Sequence, residues 1–94
     1  LLRSGSSIGA NVAEAQRAQS RADFLSKMSI ALKEANETLY WLELLHDSEY
    51  IDDKTFNSIH AEADAITAIL ASIVKSTKKN TERNDNAKGV FLNT

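Results

Sequence analysis

Glu43 and His46 have the residue types and the spacing that come closest to a catalytic arrangement in this chain. A Glu-x-x-His spacing places a carboxylate and an imidazole on one face of a helix, as in carboxylate-bridged di-iron bundles. Such bundles need a second motif, but the residue three positions before the other histidine, His60, is Asn57. His46 also lies where we predict a helix to end, and a histidine there complements the helix dipole. We therefore predict no metal site, no cofactor and no catalytic residues.

Small residues dominate the beginning of the chain and present a second candidate for chemistry. Gly5 and Gly9 have a G-x-x-x-G spacing, which matches neither nucleotide-binding fingerprint, and no strand pattern precedes them. Small side chains instead let the backbone of a neighbouring helix approach closely. We therefore predict close helix packing at Ser4, Gly5 and Gly9.

Composition limits the class of protein. A chain of 94 residues with 43% hydrophobic and 26% charged residues is typical of one helical domain. Cysteine is absent, which excludes disulfides and thiolate metal sites and fits a reducing compartment, so we expect a cytoplasmic protein. No apolar run approaches the roughly 20 residues that a membrane-spanning helix needs, and we expect neither a membrane nor a small-molecule substrate as partner.

The charge of the chain is small overall but unevenly distributed. A net charge of −2 argues against a generic nucleic-acid-binding protein, which usually has a strongly basic face. Residues 47–74 are acidic, whereas residues 75–88 are basic. Basic residues near the end of a long helix complement its dipole, and a phosphate-binding tail is the alternative. The candidate nucleic-acid-binding residues are Arg17, Arg21, Lys27, Lys75, Lys78 and Lys79.

Hydrophobic periodicity predicts three helices, of which the second is the most informative. The first runs from about Leu1 to Arg17. The second follows Ser20, a natural N-cap with Asp23 three positions later, and runs to about His46. Its inner apolar stripe closes a bundle and is formed by Phe24, Met28, Ala31, Ala35, Thr38, Leu42 and Leu45. A second stripe lies on roughly the opposite side and needs a different partner. The residues predicted for this oligomer interface are Ile30, Tyr40, Trp41 and Leu44.

The third helix is predicted to begin after a cap at Asp52 or Asp53 and to end near Lys79. A heptad seam marks its inner face, formed by Phe56, Ile59, Ala63, Ile66, Leu70, Ile73 and Thr77. We therefore assign residues 1–79 to a helical bundle domain and residues 80–94 to a flexible polar tail. Docking of the apolar cluster at residues 90–92 onto a neighbouring subunit is the alternative for that tail.

Polar residues on the first two helices are predicted to set the register between helices. Surface ion pairs contribute only about 0–1 kcal/mol each, so specificity explains them better than stability does. A partner-binding polar pocket is the alternative interpretation. The residues of this predicted network are Arg3, Asn11, Glu14, Lys33, Glu34 and Glu37, with Arg3 or Lys27 as the basic partners.

One long segment of the sequence resembles a known family. It includes the run Leu2–Asn11, the run Ile30–Ala35 and the run Glu37–Leu45, together with Glu14-Ala15, Ser20, Asp23-Phe24 and Lys27. These residues are similar to the four-helix-bundle proteins encoded in intervening sequences of bacterial 23S rRNA genes, and the similarity covers residues 1–79. The resemblance implies an all-α, up-down four-helix bundle that assembles into a ring, typically a homopentamer. A related group, the accessory proteins of diversity-generating retroelements, forms similar basic rings that engage nucleic acid and a reverse transcriptase.

Two departures from that family shape the functional prediction. Family members have another helix before the Leu-Leu-Arg-Ser-Gly segment, so we expect that three helices are readable here and that one seam of the bundle is open. The acidic composition weakens a nucleic-acid-binding role. We therefore predict a non-enzymatic ring-forming scaffold or adaptor. The alternative is an accessory protein that binds structured RNA or DNA, together with a reverse transcriptase or ribosomal RNA.

Overall fold

Three helices form the chain in the computed structural model, which describes the backbone of residues 2–92 and the side chains of residues 7–80. Helix α1 spans Leu2–Gln16, α2 spans Arg21–Asp47 and α3 spans Asp53–Leu92. No strand occurs within this described backbone, so the predicted all-α class is confirmed, whereas the structure contains three helices rather than four. Helix α3 continues past Lys79, where the sequence predicted its end. The cluster at residues 90–92 lies outside the described side chains.

Side-chain caps begin both long helices. The backbone N–H of Asp23 donates to Ser20 Oγ over 3.0 Å, which confirms the predicted N-cap of α2. At the start of α3 the N–H of Thr55 donates to Asp52 Oδ1 over 2.7 Å. These hydrogen bonds from Thr55 lower the pKa of Asp52, because they stabilise its charged form. Each cap satisfies a backbone donor that the first helical turn leaves without a partner.

Helix α2 ends in a Schellman motif whose left-handed residue is not glycine. The N–H of Tyr50 donates to the carbonyl oxygen of Leu45, and the N–H of Glu49 donates to that of His46. Glu49 takes a φ of 63° to close the motif. The turn to α3 is therefore specified by backbone hydrogen bonds in spite of an unfavourable residue at the C′ position.

The core lies where α1 and α3 pack on α2. The inner stripe of α2 is confirmed, since Ala31 and Leu42 are fully buried. Two alanines on this face, Ala31 and Ala35, keep the helix narrow, so that its neighbours approach closely. Larger side chains fill the rest of the space. The core cluster consists of Ala15, Met28, Ala31, Ala35, Leu70 and Val74, with Ile8, Val12, Phe24, Leu25, Leu32 and Ile73 packed against it.

The predicted seam of α3 is confirmed at Leu70 but is wrong at Ile59 and Ile66, which are exposed. Ile66 is 48% exposed, and the next residue, Thr67, is buried in its place. The Thr67 hydroxyl donates to the carbonyl oxygen of Ala63 over 2.7 Å, which removes the cost of burying a polar group. Helix α3 is thus rotated relative to the heptad pattern, and part of its apolar face remains uncovered.

Candidate functional site

The face of α2 opposite the core carries an apolar stripe, which we call the outer stripe and define as Ile30, Tyr40, Trp41 and Leu44. Their side chains are between 40% and 61% exposed. The rings of Tyr40 and Trp41 meet edge to face with centroids 5.7 Å apart. Four large apolar side chains on one exposed helix face are unusual for a surface that contacts only water. The structure thus places the predicted interface residues together on one face.

Polar residues of α1 and α2 make described side-chain hydrogen bonds that stay within their own helix. Lys33 and Glu37 are exposed on α2, and the hydroxyl of Thr38 donates to the carbonyl oxygen of Glu34. On α1 the amide of Asn11 donates to the carbonyl oxygen of Ser7.

One ion pair connects α1 with α2 among the described side chains. Lys27 Nζ lies 3.1 Å from Glu14 Oε2, as the sequence suggested for Lys27. Arg3 lies outside the described side chains. Most of the predicted register network therefore stays a prediction.

A second apolar surface lies in the groove between α1 and α3. Ile8 forms one wall, while Ile59 and Ile66 form the other, and Ala35 and Thr38 of α2 form the floor. The groove encloses about 190 Å³. Ile59 and Ile66 are more than one third exposed, so this groove is lined by apolar side chains that nothing within the described residues covers.

Gly9 follows Ile8 on the exposed side of α1. A Cβ built at this position would meet no atom within 4 Å. Within this chain, therefore, no described neighbour requires a glycine there. Ser4 and Gly5 lie outside the described side chains, and the predicted close packing of another helix on this segment stays a prediction.

Each histidine pairs with a carboxylate on the opposite helix of the α2–α3 hairpin. His46 Nε2 lies 2.6 Å from Asp53 Oδ1, and its ring stacks on Phe56 with centroids 4.1 Å apart. Phe56 also contacts the ring of His60, whose Nε2 is 3.6 Å from Glu43 Oε1. Glu43 and His46 thus contact different residues of α3, and these contacts stabilise the packing of α2 against α3. No group of three or more metal-ligating side chains occurs within residues 7–80.

These pairs were missed by sequence reasoning, which compared Glu43 with His46 along one helix. The signal in the sequence that predicts such a pair is the short spacing between the two residues across the turn. His46 and Asp53 are seven residues apart and flank a short connection, so antiparallel helices bring them face to face.

Most of the candidate nucleic-acid-binding residues lie at the opposite end of the molecule. Arg17 and Arg21 flank the α1–α2 turn, and Arg21 Nη1 lies 3.4 Å from the carbonyl oxygen of Asn80 on α3. This contact places Arg21 beside the part of α3 that contains Lys78 and Lys79. Lys75 is about one helical turn away, and Lys27 is paired with Glu14.

No described helix is both long and apolar enough to cross a lipid bilayer.

Comparison with known proteins agrees with this architecture. The sequence model of the family described as 23S rRNA-intervening sequence protein matches residues 1–72. A crystal structure from Bacteroides thetaiotaomicron, described as a protein of unknown function from the S23 ribosomal protein family, is 59% identical in sequence, with a TM-score of 0.75. The match covers 79% of this chain and 68% of that one. No curated protein sequence matches. The three-helix architecture and the family match over residues 1–72 place the chain in the 23S rRNA-intervening sequence protein family.

Proposed function

We propose that this protein is a non-enzymatic helical scaffold that works by self-association through the outer stripe of α2. The observation that carries the proposal is the exposure of Trp41 and Tyr40, which are 51% and 61% exposed on a helix face with no described neighbour. Burying such side chains removes apolar surface from water, the dominant favourable contribution to protein association. Aromatic residues are also the ones that most often dominate binding energy at interfaces.

The free energy that burial of the outer stripe contributes indicates how much further surface a stable assembly must bury. Full burial of a large apolar side chain contributes about 1.5–3 kcal/mol, so four half-exposed ones contribute roughly 4 kcal/mol. An equally apolar partner surface doubles this value to roughly 8 kcal/mol. Association itself costs about 4–15 kcal/mol in lost freedom of motion. The outer stripe alone therefore supports only weak association, and a stable assembly requires further buried surface.

The groove between α1 and α3 is the second exposed apolar surface, and in our proposal it is covered by a fourth helix of the bundle. A fourth helix that packs on Ile8, Ile59 and Ile66 completes the up-down bundle implied by the family resemblance. Its packing would also cover the open side of α1 at Gly9. Completion of the bundle stiffens the three helices described here and holds the outer stripe in a fixed orientation.

A ring is the form of assembly that we propose. In a ring, each copy contacts the outer stripe of its neighbour with a different part of its own surface. Repetition of such a head-to-tail contact closes into a ring when the rotation between copies permits it. The resemblance to ring-forming family members supports a homopentamer.

Trp41 is the single tryptophan of the chain, so its fluorescence reports directly on the outer stripe. We expect the emission maximum to shift to shorter wavelength as protein concentration rises, because the indole leaves water on association. Multi-angle light scattering over the same concentrations should give a mass above that of the 10.3 kDa chain.

Trp41→Ser should lower the mass towards that of the monomer while circular dichroism stays unchanged. Tyr50→Ser is the matched control, because Tyr50 is a more exposed aromatic residue, at 79%, outside the outer stripe. A wild-type protein that stays monomeric, or a Tyr50→Ser variant that loses mass as strongly as Trp41→Ser, contradicts the proposal.

A further inference from the structure

One end of the molecule collects positive charge from two distant parts of the sequence. The contact between Arg21 and Asn80 joins residues 59 positions apart and brings the α1–α2 turn beside α3. A shallow cleft between them is lined by Ser20, Phe24 and Thr77, among others. We define the basic end as the five exposed cationic residues at this level of the bundle, two beside the α1–α2 turn and three on α3. They are Arg17, Arg21, Lys75, Lys78 and Lys79.

The charges of the basic end are not neutralised by the described part of the chain. The ion pairs found among the side chains of residues 7–80 involve Lys27 and the two histidines, and none involves a member of the basic end. Asp23, in the first turn of α2, is the described carboxylate closest in sequence to Arg21. Among the side chains of residues 7–80, the basic end therefore has a surplus of positive charge.

The opposite end of the molecule is acidic, which explains how a chain of net charge −2 has a strongly basic surface. Asp47, Glu49, Asp52 and Asp53 surround the α2–α3 turn. Asp53 and Lys78 are separated on α3 by roughly 38 Å at the rise of an α-helix, whereas charges in water are screened over about 10 Å at moderate salt. A ligand at the basic end thus experiences the local positive charge, and the acidic end does not cancel it.

We propose that the basic end binds the phosphodiester backbone of nucleic acid without sequence preference. Lys75, Lys78 and Lys79 follow a three- and four-residue spacing, which keeps their side chains close on the α3 surface. Arg17 and Arg21 lie at the α1–α2 turn, which faces Thr77 and Asn80 of α3, so that the basic end carries positive charge on more than one side. Lysine and arginine contacts to phosphate supply sequence-independent affinity, and no described aromatic ring is exposed there to stack on bases.

An anionic membrane fits the basic end less well. Helices that bind at membrane surfaces combine basic residues with large apolar side chains that enter the lipid. The exposed large apolar residues of the described chain extend no further along α3 than Ile69, and none lies in the α1–α2 turn. The inference goes beyond self-association, because the outer stripe and the basic end share no residue.

Fluorescence anisotropy with a labelled RNA hairpin and a duplex DNA of equal length tests this inference. The full chain should bind both with an affinity that falls steeply as salt concentration rises. The double substitution Lys78→Gln/Lys79→Gln should reduce the slope of log affinity against log salt by about 2, because two phosphate contacts are lost.

The matched control is Lys33→Gln/Lys54→Gln, which removes the same charge from outside the basic end and should leave the slope nearly unchanged. Circular dichroism and light scattering on each variant separate a loss of binding from a loss of folding or assembly. Absence of binding by the wild-type chain at low salt overturns the inference. So does an equal effect of the two double substitutions, or binding to phosphatidylserine vesicles in preference to either nucleic acid.

Discussion

Glu49 shows how a single unfavourable residue is tolerated where backbone hydrogen bonds determine the conformation. Its φ of 63° belongs to the left-handed region, in which glycine avoids the steric cost that a Cβ imposes. Its carboxylate also lies at the negative end of the α2 dipole. Both effects oppose the native state, and the Schellman hydrogen bonds of Glu49 and Tyr50 outweigh them.

Glu49→Gly should therefore raise the free energy of unfolding by about 1 kcal/mol, since glycine adopts this φ without strain. Chemical denaturation of the two proteins at equal concentration measures the difference. Ser48→Gly is a suitable control, because Ser48 has a negative φ of −87° and glycine there only adds freedom to the unfolded chain. A Glu49→Gly protein that is less stable than wild type would mean that the carboxylate has a favourable partner in solution.

Asp52 is expected to make stability depend on acid pH. Hydrogen bonds from Thr55 lower its pKa in the folded protein, so the folded state favours the charged carboxylate more than the unfolded state does. The stabilisation is present above the ordinary aspartate pKa of about 4 and is lost as pH falls through the lowered value. Thermal unfolding between about pH 5 and about pH 3 should show this loss.

Asp52→Asn keeps an oxygen that accepts the hydrogen bond but removes the titration. Its melting temperature should lie below that of the wild type at the upper end of this pH range, and the gap should narrow as the solution becomes more acidic. A gap that stays constant with pH would show that the ionisation of Asp52 does not contribute.

The two faces of α2 have different roles, since one packs in the core and the other carries the outer stripe. Two leucines that are two positions apart test this difference. Leu42 is fully buried, whereas Leu44 is 41% exposed in the outer stripe. Leu42→Ala should lower the free energy of unfolding by about 2–5 kcal/mol, because it leaves a cavity in the core. Leu44→Ala should cost less than about 1 kcal/mol in stability and weaken self-association instead.

Urea denaturation gives the first quantity and light scattering gives the second. Because the two substitutions are chemically identical, the comparison isolates the face of the helix from the residue type. Similar effects of both on folding would show that the outer stripe belongs to the core of the folded chain.

The sequence was a good guide to the elements that have strong local signals. Ser20 and the inner stripe of α2 specify the start and orientation of that helix, and both predictions are confirmed. Helix α3 was harder, because its apolar residues cover a face wide enough for two orientations. The heptad favoured Ile66 as a core residue, but Thr67 satisfies its hydroxyl within the helix and is buried instead. Periodicity alone does not reveal that local hydrogen bond.

At the scale of the whole molecule, the candidate surfaces arise from the way the helices lie together. The residues of the outer stripe could be grouped from the sequence, because they follow one helical period. The cationic residues of the basic end could also be named from the sequence, but the contact of Arg21 with Asn80 and the His46–Asp53 pair could not, since each depends on a turn that brings distant residues together. Local sequence patterns therefore identify the faces of single helices, whereas contacts between helices determine which residues come together at the ends of the bundle.

The separation of the acidic α2–α3 turn from the basic end gives each molecule a permanent electric dipole. Copies related by rotation about an axis parallel to the bundle all point in the same direction. Their basic ends then form one charged face of the assembly and their acidic ends form the other, so that neighbouring copies repel each other at both faces. Dissolved ions screen this repulsion. A rise in ionic strength would consequently have opposite effects on the two proposed interactions. It would strengthen the contacts between parallel copies and weaken the binding of a polyanion to the basic face.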